Sequence, residues 1–274
     1  MRQTKDNIMR GLLWASAFVS VAVLVVIVGY IFYKGFPYIS FDFIFGDYSP
    51  SGGGGIFPMI VTTILMILIS LLIATPIGIL AAVYLHEYAK QGRLVSIIRY
   101  ATESLTGIPS IIYGLFGAVF FVAILKLGMS ILAASLTLTI IVLPVIIRTT
   151  EEALKTVPAT YREGSLALGT TKLQTLLKVI LPSAMPGILS GIILSIGRIV
   201  GESAAIFLTA GTVAAMPSSI FSSARTLTVH SYLVTQEAGD IGLAAAVGIV
   251  LIVIILALNL SATYISKKLN KADY

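Results

Sequence analysis

The chain has 274 residues, of which 57% are hydrophobic and 11% are charged, and its mean hydropathy is +1.01. A soluble globular domain of this composition would aggregate, so the composition indicates a protein of the lipid bilayer. The chain contains no cysteine, which excludes disulfide bonds and thiolate metal sites, and its formal net charge is +6.

Six apolar stretches are each long enough to cross about 30 Å of hydrocarbon as a helix. Unpaired backbone groups are costly in lipid, so each stretch is predicted to be helical. The predicted spans are 11–33, 56–85, 104–125, 127–147, 184–209 and 241–265. The first is too long for the core of a cleaved signal peptide and is expected to remain in the protein. We therefore predict an all-α membrane protein with a tail at 1–10 and one transmembrane domain at 11–274.

Lysine and arginine are distributed unevenly over the segments that connect these spans. Fourteen of the 18 lie in the tail, in 86–103, in 148–183 and after 265. Three lie in the alternate connecting segments, and the last, Arg198, lies inside a span. Positive charge accumulates on the cytoplasmic side of membrane proteins, so both termini are predicted to be cytoplasmic. The basic excess is thereby a topology signal, and no nucleic-acid partner is expected.

The polar segment 148–183 between spans four and five carries several helix signals. Pro158 suits the first turn of one helix, Gly169 interrupts the pattern, and Thr170 and Thr171 can cap a second helix. That second helix would carry Leu173, Leu176, Leu177 and Ile180 on one face. The pattern predicts a helical hairpin that contacts a cytoplasmic partner. A helix lying on the lipid headgroups is the alternative.

The hairpin contains a recognisable spacing of residues. Glu163, Gly164 and Ser165 are followed after three residues by Gly169 and after nine more by 179–182, a segment that ends in Leu181 and Pro182. This resembles the EAA loop of ABC importer permeases, although Gly164, Ser165 and Val179 depart from its usual residues. The resemblance implies that the loop docks on a cytoplasmic ATPase and transmits its closure to the spans. The coupling residues would be Glu163, Gly164, Ser165, Gly169, Leu181 and Pro182.

Other segments resemble the phosphate-specific branch of that family. They are 53–58, 75–78, 84–88, 108–117 and 225–232, of which the last is similar to the A-type of the two sister permeases. The resemblance implies the type I ABC importer permease fold in a prokaryotic plasma membrane, with this chain forming half of an alternating-access pore. The implied partners are a homologous PstC-like permease, a PstB-like ATPase homodimer that binds ATP and Mg, and an extracytoplasmic PstS-like phosphate-binding protein.

Span five carries two charges, Arg198 and Glu202, which would lie one turn apart on a continuous helix. Charges at membrane depth are rare and usually functional. A guanidinium can give two parallel hydrogen bonds to a tetrahedral oxyanion and does not lose its proton. A self-neutralising pair is the alternative. The resemblance to phosphate importers implies that both residues lie on the substrate pathway, and we hypothesise that Glu202 neutralises Arg198 when the site is empty.

Arg225 and His230 lie in the predicted outer loop 210–240, where they could guide phosphate or contact a binding protein at the outer mouth. A solvated loop explains them equally well. The chain lacks a complete Walker A motif, so ATP hydrolysis is assigned to another polypeptide, and no catalytic residue, metal or cofactor is predicted here.

Two other functions fit parts of the pattern. A permease for another oxyanion, such as molybdate or sulfate, would share the coupling loop. An ion-driven carrier would explain six spans and two buried charges, but it would not explain the hairpin at Gly169.

Overall fold

The computed structural model describes residues 2–49, 54–90 and 92–271, and this part of the chain is helical without a β-strand. Gly53 of the segment 53–58, and the last three residues of the predicted domain, lie outside the described residues. Within these residues, five helices are long and apolar enough to cross a membrane, or six if the bent pair Arg93–Thr106 and Ser110–Ile124 is one span. The all-α multi-pass prediction is confirmed.

The helices are named here in chain order. They are α1 (Arg2–Gly35), α2 (Phe41–Phe45), α3 (Phe57–Val83), α4 (Arg93–Thr106), α5 (Ser110–Gly117), α6 (Ile131–Thr156), α7 (Ala159–Ala167), α8 (Lys172–Thr175), α9 (Leu181–Val200), α10 (Ala204–Ala210), α11 (Leu227–Leu233) and α12 (Ile241–Lys271). Turns of π-helix continue α3, α5, α8 and α11 at Tyr84–Tyr88, Ala118–Ile124, Leu176–Ile180 and Val234–Ala238. A 3₁₀ turn, Phe36–Tyr38, follows α1.

The core is built around α6, against which α3 and α9 pack. Leu138 of α6 is fully buried. Glycines allow the close approach of these helices, because a Cβ at Gly78 would lie 2.6 Å from Ile146 Cγ2 and one at Gly191 would lie 2.0 Å from Thr149 Oγ1. Small residues at helix crossings are typical of membrane bundles, where lipid supplies no hydrophobic force between helices.

Two predicted spans begin differently in the structure. The stretch predicted at 104–125 is divided, because its first residues belong to α4 and the chain bends by 100° before α5 begins at Ser110. Pro109 stands at this bend, and a residue that precedes proline is biased away from helical backbone angles. The stretch predicted at 127–147 begins at Ile131, behind a Ser130 cap, and continues as α6 to Thr156. The start of the predicted loop 148–183 is therefore a continuation of α6.

Candidate translocation site and coupling hairpin

The predicted fifth span is divided into α9 and α10 by a three-residue break. Thr228 Oγ1 donates to the carbonyl of Val200 at 2.5 Å, so it satisfies a carbonyl that the end of α9 exposes. Glu202 Oε1 accepts a hydrogen bond from the backbone N–H of Ala205 at 3.2 Å and so satisfies one of the N–H groups that the start of α10 leaves free. The expectation that Arg198 and Glu202 lie one turn apart on a continuous helix is wrong, because the helix ends between them.

Arg198 lies in the last turn of α9 and is half-buried. It stands 17 residues after Leu181, which corresponds to about 25 Å along the helix. Tyr113 of α5 lies within electrostatic reach of the guanidinium, and its hydroxyl donates to the carbonyl of Leu105 at 2.7 Å. Within the described ranges, no carboxylate oxygen lies within 4.0 Å of the Arg198 guanidinium. Its donors are therefore available to an anion.

Glu202 is the second charged group at the break, and only 8% of it is exposed. A cavity of about 330 Å³ opens beside the break. It is lined by Ile111, Ser203, Ala204, Phe207, Leu208, Val229 and Tyr232. About half of Ile111 and of Tyr232 is exposed, so this chain leaves one side of the cavity open. Arg198 is not among the residues that line this cavity, but it lies on the same break, in the last turn of α9. An arginine without a carboxylate partner can bind an anion there, provided that a second surface closes the site.

The hairpin consists of α7 and α8, joined by a turn at Gly169. Its φ of +82° is a left-handed value that glycine adopts without strain. The Thr171 hydroxyl accepts a bond from the N–H of Gln174, and the Gln174 side chain accepts one from the N–H of Thr171. This reciprocal capping box starts α8. The predicted pair of helices meeting at a glycine is confirmed.

Hydroxyl groups hold the two helices of the hairpin together. Ser165 Oγ lies 2.8 Å from Thr170 Oγ1 and 3.0 Å from Thr175 Oγ1, and the two threonine hydroxyls lie 2.9 Å apart. Ser165 stands where the EAA pattern usually has alanine. The departure from the pattern therefore supplies an extra link between α7 and the end of α8.

The hairpin has a buried base and an exposed tip. Leu176 and Ile180 pack into a cluster with residues from the ends of α3 and α6 and the start of α9. By contrast, Leu168 at the tip is 87% exposed, and Leu173 and Leu177 are more than half exposed. The leucine face predicted for the second helix is thus divided between core and surface. Among the predicted coupling residues, Glu163, Gly164 and Gly169 are exposed, whereas Ser165, Leu181 and Pro182 are half-buried.

Arg225 and His230 lie at the other end of the molecule, because the neighbouring Leu227 N–H donates to Thr63 Oγ1 near the start of α3. Both side chains are buried, at 7% and 3% exposure, so they do not form a solvated loop. The Arg225 guanidinium lies 4.6 Å from the ring centroid of Tyr48, and the His230 ring meets the same ring edge-on at 5.8 Å. Burial, followed by the charge of Arg225, lowers the pKa of His230 to about 4.

A cavity of about 470 Å³ opens beside this aromatic cluster. Its wall includes Tyr48, His230, Asp42 and Asp240. His230 therefore reaches a cavity at the end where the outer mouth was predicted. Arg225 instead lies behind Tyr48, where its role in the fold is to pack against that ring.

Sequence reasoning missed two residues of the site at the break. Tyr113 and Thr228 were not selected as individual residues, although each lies in a segment that drew attention, 108–117 or 225–232. The sequence around a single tyrosine or threonine in an apolar or mixed segment does not indicate whether the residue packs in the core or belongs to a site.

The bundle and the hairpin together define a multi-pass transport permease. Residues 74–271 match the family model described as binding-protein-dependent transport system inner membrane component, and the chain belongs to this family. The probable ABC transporter permease protein YqgI of Bacillus subtilis is 34% identical over 98% of each chain. The phosphate transport system permease protein PstA of Mycobacterium leprae is 30% identical over 94% of this chain and 88% of its own.

The comparison with solved structures agrees with the fold. A bacterial ABC transporter involved in the import of the acidic polysaccharide alginate aligns with a TM-score of 0.69, over 98% of this chain and 99% of that one, at 18% identity. This likeness shows the type I ABC importer permease fold. The chain is a pore-forming subunit of the inner membrane, and members of its family work with a separate ATPase and a binding protein.

Proposed function

We propose that this chain is the A-type permease subunit of an ATP-driven importer of inorganic phosphate. PstA proteins are among its relatives at 30% to 38% identity. The observation that carries the proposal is Arg198, which has no carboxylate partner in the described structure and lies in the last helical turn before a break in a membrane span. Just beyond that break, Ser203 and Ala204 line a cavity of about 330 Å³. Phosphate is a small tetrahedral oxyanion, and a guanidinium binds two of its oxygens at once.

Arg198 lowers the cost of moving phosphate through the bilayer. An anion leaving water loses its hydration, and a fixed cation part of the way across offsets that loss. The bound anion must also leave. Glu202, which is buried and accepts a hydrogen bond from the backbone N–H of Ala205, competes with phosphate for Arg198 when the break rearranges. A break in the helix permits this movement more easily than a continuous helix would, as in the discontinuous helices of other transporters.

The rest of the assembly is arranged around the two ends of the molecule. The distribution of basic residues supports a cytoplasmic position for the hairpin end and for both termini. The exposed tip around Leu168 docks in a groove on a homodimeric ATPase, which binds ATP and Mg. A homologous permease closes the open side of the cavity beside α10. An extracytoplasmic phosphate-binding protein docks on the opposite end, near the cavity lined by His230. ATP-driven closure of the ATPase moves the hairpins and switches access to the site.

The test is uptake of labelled phosphate into vesicles that contain the whole complex, with and without internal ATP. ATP-dependent uptake that resists excess sulfate and molybdate is the expected result. Competition by either anion at equal concentration would assign the site to another oxyanion. Uptake at the same rate without ATP would contradict the coupling role of the hairpin and support an ion-driven carrier.

A further inference from the structure

One residue at the end of α3, Glu87, bonds to both helices of the hairpin. This residue lies in the π-helical turn Tyr84–Tyr88 that continues α3. Its carboxylate accepts a hydrogen bond from Arg162 Nη2 of α7, and its backbone carbonyl accepts one from Lys172 Nζ, at the start of α8. Both helices of the hairpin are therefore bound to one point on another span.

The surroundings of Glu87 strengthen these contacts. Only 8% of its side chain is exposed, against 31% for Arg162, so the ion pair is largely shielded from water. His86 Nδ1 lies 3.1 Å from the same carboxylate oxygen. The Lys172 ammonium also stands 4.6 Å from the ring centroid of Tyr88. A shielded and multiply bonded carboxylate holds its partners more rigidly than a surface ion pair does.

An apolar layer lies beneath the polar contacts. Val83 at the end of α3 belongs to the same buried cluster as Leu176 and Ile180 of the hairpin base. From there α3 runs to Thr63, which bonds the N–H of Leu227 at the opposite end of the molecule. Glu87 and Thr63 are 24 residues apart, about 36 Å along a helix. A movement of the hairpin that is passed to α3 would therefore reach the far end of the bundle.

We propose that Glu87 is the positioning residue that ties the coupling hairpin to α3, so that hairpin and span move as one body during the transport cycle. The chain itself joins the hairpin to α6 and to α9, and the hairpin base packs on both helices. The contacts of Glu87 add a polar link to α3, a span that does not contain the break in span five. The inference rests on the proposed docking of the hairpin on the ATPase.

The first test compares Glu87→Gln with a matched control in the reconstituted complex. Glu103→Gln is the control, because Glu103 also accepts a bond from an arginine, Arg148, but its side chain is 66% exposed. We expect Glu87→Gln to assemble with the ATPase and to transport roughly fivefold less substrate for each ATP hydrolysed. The control should keep the wild-type ratio. A wild-type ratio in Glu87→Gln would overturn the proposal.

A cross-linking rescue separates a mechanical link from a general loss of stability. This chain has no cysteine, so Glu87→Cys with Arg162→Cys provides its only two thiols. The double variant should be uncoupled before treatment and should regain its transport-to-ATP ratio when a short bifunctional thiol reagent joins the pair. A joined pair that stays uncoupled would show that a fixed link between hairpin and α3 is not what coupling needs.

Lys172→Met removes the bond from Lys172 to the backbone carbonyl of Glu87 without altering the Glu87 carboxylate. This variant replaces Glu87→Gln as the test if Glu87→Gln does not assemble. It should lower the transport-to-ATP ratio in the same direction and by a smaller factor. An unchanged ratio would overturn the two-helix attachment. Failure of the docking proposal would give a different result, because the ATPase would then bind equally well to variants of the hairpin tip. The Glu87 variants are instead measured by the transport-to-ATP ratio of a complex that has assembled.

Discussion

The hairpin end and the broken fifth span differ in whether their charged residues form ion pairs. At the hairpin end, carboxylates are paired with arginines, as in Glu87 with Arg162 and in Glu151 with Arg99, where Arg99 Nε lies 2.7 Å from the carboxylate. At the break, the described structure gives Arg198 no carboxylate within 4.0 Å, and the nearby carboxylate bonds a backbone N–H. Both regions contain buried charge, so burial alone does not separate them.

The difference is informative because an unpaired charge in an apolar span is costly. A pair of opposite charges offsets much of the cost of leaving water, whereas a single charge does not. The paired charges at the hairpin end can therefore have a purely structural role. No carboxylate of the described residues offsets the cost at Arg198, and our proposal is that a transported anion is its partner. On that proposal Arg198 serves the substrate, whereas Glu87 serves the structure of the hairpin end.

The largest effect is expected at Arg198. Arg198→Ala should lower ATP-dependent phosphate uptake about a hundredfold, because a charged hydrogen-bond donor inside the membrane is lost. Arg198→Lys should recover part of this loss, since it keeps the charge and loses the planar fork. The measurement is labelled uptake by the reconstituted complex.

The control for Arg198 is Arg148→Ala, which removes an arginine of the hairpin end whose side chain is 57% exposed. It should leave uptake near the wild-type rate. If Arg198→Ala assembled normally and took up phosphate at that rate, the distinction between paired and unpaired charges would lose its functional meaning.

The next effect concerns the hairpin tip. Leu168→Asp places a charge on the most exposed apolar side chain of the hairpin, which is 87% exposed. We expect binding of the ATPase to weaken by about 2 kcal/mol, or roughly 30-fold, as for a residue at the centre of an interface. Co-purification at graded ATPase concentration measures it. Leu173→Asp, at 56% exposure on α8, shows whether the tip itself or the whole apolar surface carries the contact.

Structural features that depend on neighbouring residues in the chain were predictable from the sequence. The apolar stretches, the turn at Gly169 and the cap at Thr171 follow from runs of hydrophobic residues and from the conformational preferences of glycine and threonine.

Features that depend on distant residues were not predictable in this way. The end of α9 at Val200 is stabilised by a bond from Thr228, 28 residues further on. Glu87 and Arg162 are 75 residues apart, and no spacing rule joins them. The candidate site combines both kinds of feature. Arg198 was predictable because it is a charge inside an apolar span, whereas the break that follows it could be recognised only in the folded structure.

Arg225 shows that a buried arginine can have a structural role instead of a role in substrate binding. Its guanidinium packs on Tyr48 beside His230, so we assign this cluster to stability. The folded state lowers the pKa of His230 from 6.5 to about 4 and favours the neutral ring. Stability is therefore complete above about pH 6.5 and is lost as the pH falls towards 4, by about 1 kcal/mol at pH 5.5. Thermal unfolding of the detergent-solubilised protein between about pH 7.5 and 5.5 measures it.

The two histidines of the chain provide the control for this prediction. His230→Gln should remove the stability loss on acidification, whereas His86→Gln, at the hairpin end, should retain it. A loss that persists unchanged in His230→Gln would assign it to other groups and leave the role of the Tyr48 cluster without support.

The smallest effect is expected for the exposed pair Glu103 and Arg148, whose side chains are 66% and 57% exposed at an N–O distance of 3.2 Å. Solvent and salt screen such a pair, so Glu103→Gln should change stability by less than about 0.5 kcal/mol. Unfolding temperatures at low and high salt measure this. A larger, salt-insensitive loss would mean that α4 depends on this contact with α6. Pairing would then stabilise the hairpin end whether or not the pair is buried, and the contrast with Arg198 would rest on pairing alone.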